Sequence, residues 1–331
     1  MTMNNIRMYL CCAAAGICAA VLLIQKNTDA KTSPQIQIQS RQSTAYQRSI
    51  KPVDFPADIA YFPGNNGKTS VEIYFGIPLN MIYWSQDLLT FNGSVQYSTV
   101  ITDKNNVRVF SHKNTAVIQL QLIDIEHIYK DVYTVREQTD LIPGQYTAAI
   151  EINDPKARTR GTLQQEITVE SFTGDSLRIS DLLVAYIITI PEPQWRPTRE
   201  TVRIFHHPAH MFAISSPIFV YFELVNLYVN PETRKSTYKI EYAINPLKKR
   251  DIKDINLNTF FKYIDWKPIE SEQVWVTLEA ESFVNFDKQL LRIENQFAQP
   301  GEYLLTVKVT DTFDGTTVQR LIPLWIFERK K

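Results

Sequence analysis

Two stretches of the chain, Pro143-Gly144-Gln145-Tyr146-Thr147-Ala148-Ala149-Ile150-Glu151-Ile152-Asn153-Asp154 and Pro300-Gly301-Glu302-Tyr303-Leu304-Leu305-Thr306-Val307-Lys308-Val309-Thr310-Asp311, share their proline, glycine, tyrosine and closing aspartate in register. In each copy proline presets a turn, glycine admits φ > 0, and the residues that follow alternate in side-chain direction as a strand requires. A polar turn comes soon after, Asp154-Pro155-Lys156 in one copy and Asp311-Thr312-Phe313-Asp314-Gly315 in the other, which reads as a hairpin into a final strand.

The repeat extends upstream. Val71, Ile73, Phe75 and Ile77 alternate as Ile218, Val220, Phe222 and Leu224 do, and Val95, Tyr97, Thr99 and Ile101 match Tyr238, Ile240, Tyr242 and Ile244 with period two. Pro-Gly-x-Tyr is also how a chain enters a late strand of an immunoglobulin- or fibronectin-like sandwich, where the tyrosine hydroxyl bonds upstream backbone. Tyr146 and Tyr303 are therefore read as structural corner residues. The expected fold class is all-β, two tandem antiparallel sandwiches related by internal duplication.

A chain of 331 residues suits two domains, and a hydrophobic content of 44% with 21% charged residues is enough to fill two cores. The formal net charge is zero, so nothing electrostatic favours nucleic acid or an anionic membrane surface as partner.

Arg7 precedes an apolar run from Met8 to Ile24, and Thr28-Asp29-Ala30 offers small residues at cleavage spacing, so residues 1–30 read as a secretory signal. An uncleaved N-terminal anchor is the alternative, and the only route to a membrane. All three cysteines, Cys11, Cys12 and Cys18, lie in that segment, so the mature chain is expected to have no disulfide, thiol catalysis or cysteine-bound metal. Residues 31–52, rich in Gln, Ser and Thr, read as a flexible linker. The first sandwich is placed at 53–170 and the second at 171–328, with 171–180 as junction and 329–331 as a basic tail. Pro323 in the last strand predicts an edge, and a short helix is expected at Leu257 to Ile264.

The segments Val71-Glu72-Ile73-Tyr74-Phe75-Gly76-Ile77-Pro78, Ile179-Ser180-Asp181-Leu182, Val220-Tyr221-Phe222-Glu223-Leu224-Val225-Asn226-Leu227 and Pro300-Gly301-Glu302-Tyr303 resemble the β-rich part of bacterial secreted GWxTD-domain proteins. No Gly-Trp-Xaa-Thr-Asp occurs in the chain, so it is similar to a relative without the module that names the family. The resemblance implies a secreted bacterial protein with a tandem sandwich and carries over no catalytic residue.

Three of the five histidines fall in Phe205-His206-His207-Pro208-Ala209-His210-Met211-Phe212. Imidazole is a common metal ligand, but H-E-x-x-H spacing is absent and Pro208 interrupts the stretch. His206, His207 and His210 therefore read as partly exposed loop residues, and no metal or cofactor is expected. Asp311 to Gly315 lacks the further oxygen ligands of a calcium loop. Glu72 and Glu223 lie in similar strands, yet spacing alone does not make a catalytic pair, and no G-x-S-x-G elbow or phosphate loop occurs. Trp84 and Trp195, near loops, are the interface candidates. The resulting expectation is a non-catalytic binding or scaffold protein of a bacterial cell envelope or secretion assembly, exported to the periplasm or cell surface, with an envelope protein or glycan as partner. The alternatives are an accessory chaperone offering an edge strand, or an enzyme acting on envelope glycans or through a metal.

Overall fold

The computed structural model describes residues 50–123, 131–189, 203–247, 260, 262, 274–294 and 299–328. The segment 1–30 expected to be a signal, nearly all of the expected 31–52 linker, residues 329–331, Trp195 and most of the helix expected at Leu257 to Ile264 lie outside the described residues. No helix among those described is long and apolar enough to cross a membrane.

The first half contributes strands β1 (Lys51–Pro52), β2 (Ala57–Pro63), β3 (Thr69–Pro78), β4 (Trp84–Asp87), β5 (Thr90–Asp103), β6 (Arg108–Gln121), β7 (Val132–Leu141), β8 (Gly144–Asp154) and β9 (Thr159–Val169). The second contributes β10 (Arg178–Ile179), β11 (Leu183–Thr189), β12 (Arg203–His206), β13 (Met211–Ala213), β14 (Ile218–Val225), β15 (Ser236–Pro246), β16 (Val276–Ser282), β17 (Phe286–Ile293), β18 (Gly301–Asp311) and β19 (Thr317–Phe327). The sheet β2-β3-β7 packs on the sheet β1-β9-β8-β5-β4, with β6 beside β5. In the second half β10 and β11 flank one edge of β14, β17 the other, with β12 beyond β11; the facing sheet runs β13-β19-β18-β15-β16. Both are antiparallel sandwiches of the immunoglobulin and fibronectin class.

Seven strands of each half correspond in their pairing. β2, β3, β5, β6, β7, β8 and β9 pair among themselves as β11, β14, β15, β16, β17, β18 and β19 do, in the same chain order. Tyr97 lies opposite Ile152 and Asp103 opposite Tyr146, while Ile240 lies opposite Val309 and Pro246 opposite Tyr303. The last hairpins also match, with Arg158 and Gly315 occupying the same left-handed position at φ 57° and 74°. The Tyr146 hydroxyl donates to Ile142 O at 2.7 Å and that of Tyr303 to Gln299 O at 2.8 Å. Asp154, buried, accepts the amides of Tyr83, Lys156 and Ala157, and Asp311 accepts those of Tyr228 and Phe313, so each carboxylate ties a distant loop to its own hairpin.

Alternation fills each interior. Val71, Ile73, Phe75 and Ile77 meet Ala148, Ile150 and Ile152 in one core, and Ile218, Val220, Phe222 and Leu224 meet Leu305, Val307 and Val309 in the other. Each such Val, Leu, Ile or Phe contributes roughly 1.5–3 kcal/mol on burial, and the described residues, which contain no cysteine, rest on these cores.

A third apolar cluster joins the halves. Ala60, Phe62 and Tyr74, on the outer face of the β2-β3 sheet, pack against Leu183 and Tyr221 on the outer face of β11 and β14. β3 is accordingly buried at every position but its last, including both faces. Asp181 fixes the junction to the first sandwich: its carboxylate accepts the Tyr61 amide at 2.8 Å and its own amide donates to Tyr61 O at 3.0 Å.

One sequence expectation is corrected here. β19 is an edge only along part of its length, because β13 pairs with it in parallel from Trp325 to Phe327. Pro323, which has no amide hydrogen to give, sits just before that pairing begins.

Candidate functional site

The described residues converge most densely at the seam between the two sandwiches. Asp58 comes from β2, where Ala57, Ile59 and Tyr61 point into the first core, so Asp58 points outward, toward the second sandwich. His206 closes β12 and His210 immediately precedes β13. Between them His207-Pro208-Ala209-His210 makes a turn in which the His210 amide donates to His207 O at 2.8 Å. Proline, with φ preset, suits the second position of such a turn. His210 itself adopts φ 49°, a left-handed conformation uncommon outside glycine and asparagine. The turn carries the chain from one sheet of the second sandwich to the other and folds His210 back beside His206, their ring centroids 5.3 Å apart.

This overturns the expected exposure of the loop. Asp58, His206 and His210 are 3%, 2% and 1% exposed. The residue thought to disrupt a site, Pro208, makes the turn that assembles it. His207 stays half-buried, its Nδ1 accepting the Ala209 amide at 3.2 Å, and burial together with the neighbouring imidazoles pushes it down to about 3.

Hydrogen bonds set the protonation pattern. His206 Nδ1 lies 2.7 Å from Val184 O, so that nitrogen carries the hydrogen and donates. Burial, the largest influence, lowers the basicity of His206 and keeps the ring neutral, outweighing the attraction of Asp58. The lone pair on its Nε2 then faces Asp58 Oδ2 at 3.4 Å, a contact without a hydrogen bond, and Nε2 has no other partner. His210 differs: Nδ1 lies 3.0 Å from Pro323 O and Nε2 lies 2.8 Å from Asp58 Oδ2, so both nitrogens face oxygen acceptors. Burial alone would raise Asp58, but the charge of His210 and its hydrogen bond, with a smaller contribution from His206, hold it well below the usual carboxylate range. Asp58 Oδ1 is buried without a partner. The Tyr74 ring, 4.6 Å from that of His206, closes one side.

The other side opens to a cavity of about 370 Å³ between the sandwiches, lined by Asp58, His210, Asp181, Lys262 and Arg320 among others. Lys262 bonds Asp181 and lies 3.9 Å from the centre of the Tyr61 ring, while Arg320 bonds Glu170.

Asp58 was missed in the sequence because its histidine partner stands 152 residues away. A signal existed: it is the one charged residue in an otherwise apolar run from Phe55 to Phe62. The other expected positions are scattered. Tyr146 and Tyr303 hold corners of separate sandwiches. Trp84 is half-buried against the first core, with its indole N–H on Leu79 O at 3.0 Å. Glu72 and Glu223 are each engaged by a tyrosine of their own strand, Tyr74 and Tyr221, and Arg136 further binds Glu72 through two nitrogens at 2.8 and 2.9 Å.

No family model and no curated protein matches the chain. Among solved structures, the C-terminal domain of the AgI/II polypeptide BspA of Streptococcus agalactiae aligns at 8% identity over 82% of this chain and 100% of that one, with a TM-score of 0.23. The FN1–FN3 domains of chicken CNTN1 align at 13% identity over 85% of this chain and 68% of that one, with a TM-score of 0.21. Superposition at this level carries no function across to the chain.

Proposed function

We propose that the chain is an exported, non-catalytic binding or scaffold element of a bacterial cell envelope or secretion assembly, akin to secreted GWxTD-domain proteins without their naming module, with an envelope protein or glycan as its partner. The observation that carries this reading is the seam. Two sandwiches lie with the outer faces of their β2-β3 and β11-β14 sheets together, fastened by Asp181 on the Tyr61 backbone and Asp58 on His210. Such a unit presents the outer faces of the β9-β8-β5-β6 and β19-β18-β15-β16 sheets at a fixed separation, which suits a spacer or a two-sided binder. Those faces carry ion pairs: Lys239 and Lys308 flank Glu241 on one, and Arg160 pairs with Glu151 on the other. The carboxylates at Glu72 and Glu223 are engaged within the fold, by Tyr74 and Arg136 in one case and Tyr221 in the other.

An edge-strand role is the second reading. β16 pairs only with β15 among the described residues, and Val276 and Leu278 on it are each 41% exposed. An exposed apolar edge is what strand addition uses.

Crosslinked capture from bacterial envelope fractions tests the proposal. Enrichment of an envelope protein or glycan with wild type, from mature chain beginning at Lys31, supports it; intact Met1 in the membrane fraction supports retention as an anchor instead. Confinement of the chain to the cytoplasm refutes export, and partner loss specifically on Val276→Lys favours the edge-strand reading.

A further inference from the structure

We infer that Asp58, His206 and His210 form a binding site for a zinc-class divalent transition-metal ion that joins the two sandwiches. Their donor atoms, His206 Nε2, His210 Nε2 and a carboxylate oxygen of Asp58, lie within 4.8 Å of one another, and all three residues are more than nine-tenths buried.

Four observations converge on a cation. The first is the surroundings: His206 Nε2 faces the Asp58 carboxylate at 3.4 Å, and both His206 Nε2 and Asp58 Oδ1 are buried without a hydrogen-bond partner. A buried polar atom left unpaired costs about 1–3 kcal/mol, and a positive ion held between the imidazole nitrogen and the carboxylate relieves that cost. The second is the orientation of the rings. Each imidazole turns Nδ1 to a backbone carbonyl, Val184 O or Pro323 O, and so presents Nε2 to Asp58; metal-bound histidines are held in this way.

The third is spacing. Metal–nitrogen and metal–oxygen bonds of about 2.0–2.1 Å at tetrahedral angles put ligand atoms about 3.3 Å apart. His206 Nε2 and Asp58 Oδ2 stand at 3.4 Å, and the 2.8 Å between His210 Nε2 and Asp58 Oδ2 needs to open by only about half an ångström to reach the same spacing. The fourth is access. Asp58 and His210 line the cavity between the sandwiches, which supplies a path for the ion and room for a water as fourth ligand. Two imidazoles and one carboxylate favour a borderline ion such as Zn²⁺ over Ca²⁺ or Mg²⁺, which take oxygen ligands. With Asp58 from one sandwich and both histidines from the other, the ion is a staple across the seam. This inference stands independently of the proposed envelope role.

The test uses the mature chain, stripped with a chelator and titrated with Zn²⁺ and separately with Co²⁺. One equivalent of each is expected to bind, Co²⁺ giving the visible absorption of a four-coordinate nitrogen and oxygen site, and saturating Zn²⁺ at about 100 times Kd raising Tm by roughly 5–10 °C. His206→Ala and the near-isosteric Asp58→Asn each weaken binding by roughly 100-fold or more, whereas His207→Ala, outside the ligand set, leaves it unchanged. Absence of stoichiometric binding by wild type, a Co²⁺ spectrum of a six-coordinate surface site, or folded His206→Ala and Asp58→Asn variants that bind as wild type does would each overturn the inference. Should a ligand variant fail to fold, the wild-type Co²⁺ spectrum decides.

Discussion

Replacing Asp154 or Asp311 by alanine should damage the two sandwiches to the same degree. Each carboxylate is buried at the end of the strand that starts with Pro-Gly-x-Tyr, and each accepts one amide from a loop far away in sequence, Tyr83 at 2.7 Å or Tyr228 at 2.9 Å. Each also accepts amides of its own hairpin, Lys156 and Ala157 in one case and Phe313 in the other. A hydrogen bond to a charged group is worth about 1.5–3 kcal/mol, and an amide left buried and unpaired costs about 1–3. The hairpin amides can find water once the carboxylate is gone, so the loss is dominated by the distant amide, and each variant should fall by about 3 kcal/mol. For units of this size that lowers Tm by roughly 10–15 °C. Urea unfolding followed by circular dichroism measures the loss, with an unchanged dependence on denaturant as the sign that the native state alone was affected. A cost below about 1 kcal/mol for either variant, or an effect at one position and none at the other, would refute the claim that the two carboxylates do the same work.

Tyr146→Phe and Tyr303→Phe should each destabilise by about 1 kcal/mol, the net size of one hydroxyl-to-carbonyl bond, and equilibrium unfolding reads the difference. Gly161→Ala should cost more, about 1–3 kcal/mol, because a Cβ there would stand 2.6 Å from Val53 O and 2.8 Å from Phe55 Cδ1; calorimetry checks it. Gly315→Ala should lose about 1–2 kcal/mol while Arg158→Gly, at the matching hairpin position, should lose nothing or gain slightly, and a paired thermal melt compares them.

Much of the architecture was legible because alternation and turn chemistry are local. The pairing of Tyr97 with Ile152 and of Ile240 with Val309 could be anticipated once the repeated stretches were aligned, since a sandwich fixes which strands meet. The seam was harder to see. It shows in sequence only as strands apolar on both faces, Ala57 to Phe62 and Val71 to Ile77, which in an antiparallel sandwich implies another layer beyond. The histidines misled for a physical reason. Proline interrupts a regular strand or helix, which argues against a site on either, whereas in a turn it presets the backbone that brings His206 and His210 together. Asp58 could not be joined to them by any spacing rule, because the contact is made by the docking of two domains. The edge predicted from Pro323 failed beyond that residue, since proline rules out an outward amide at one position and says nothing of the positions after it.

The rigid seam is tested most directly by a distance across it. A chain produced from Lys31 onward contains no cysteine, so Gln96→Cys on one outer sheet and Thr317→Cys on the other accept spin labels at those sites alone. Pulsed dipolar spectroscopy should return a single narrow distance distribution, broadened when Asp58→Ala and Asp181→Ala are introduced together. A broad or multiple distribution in the otherwise wild-type chain would contradict the account, because it would mean that the sandwiches move apart despite the contacts that join them.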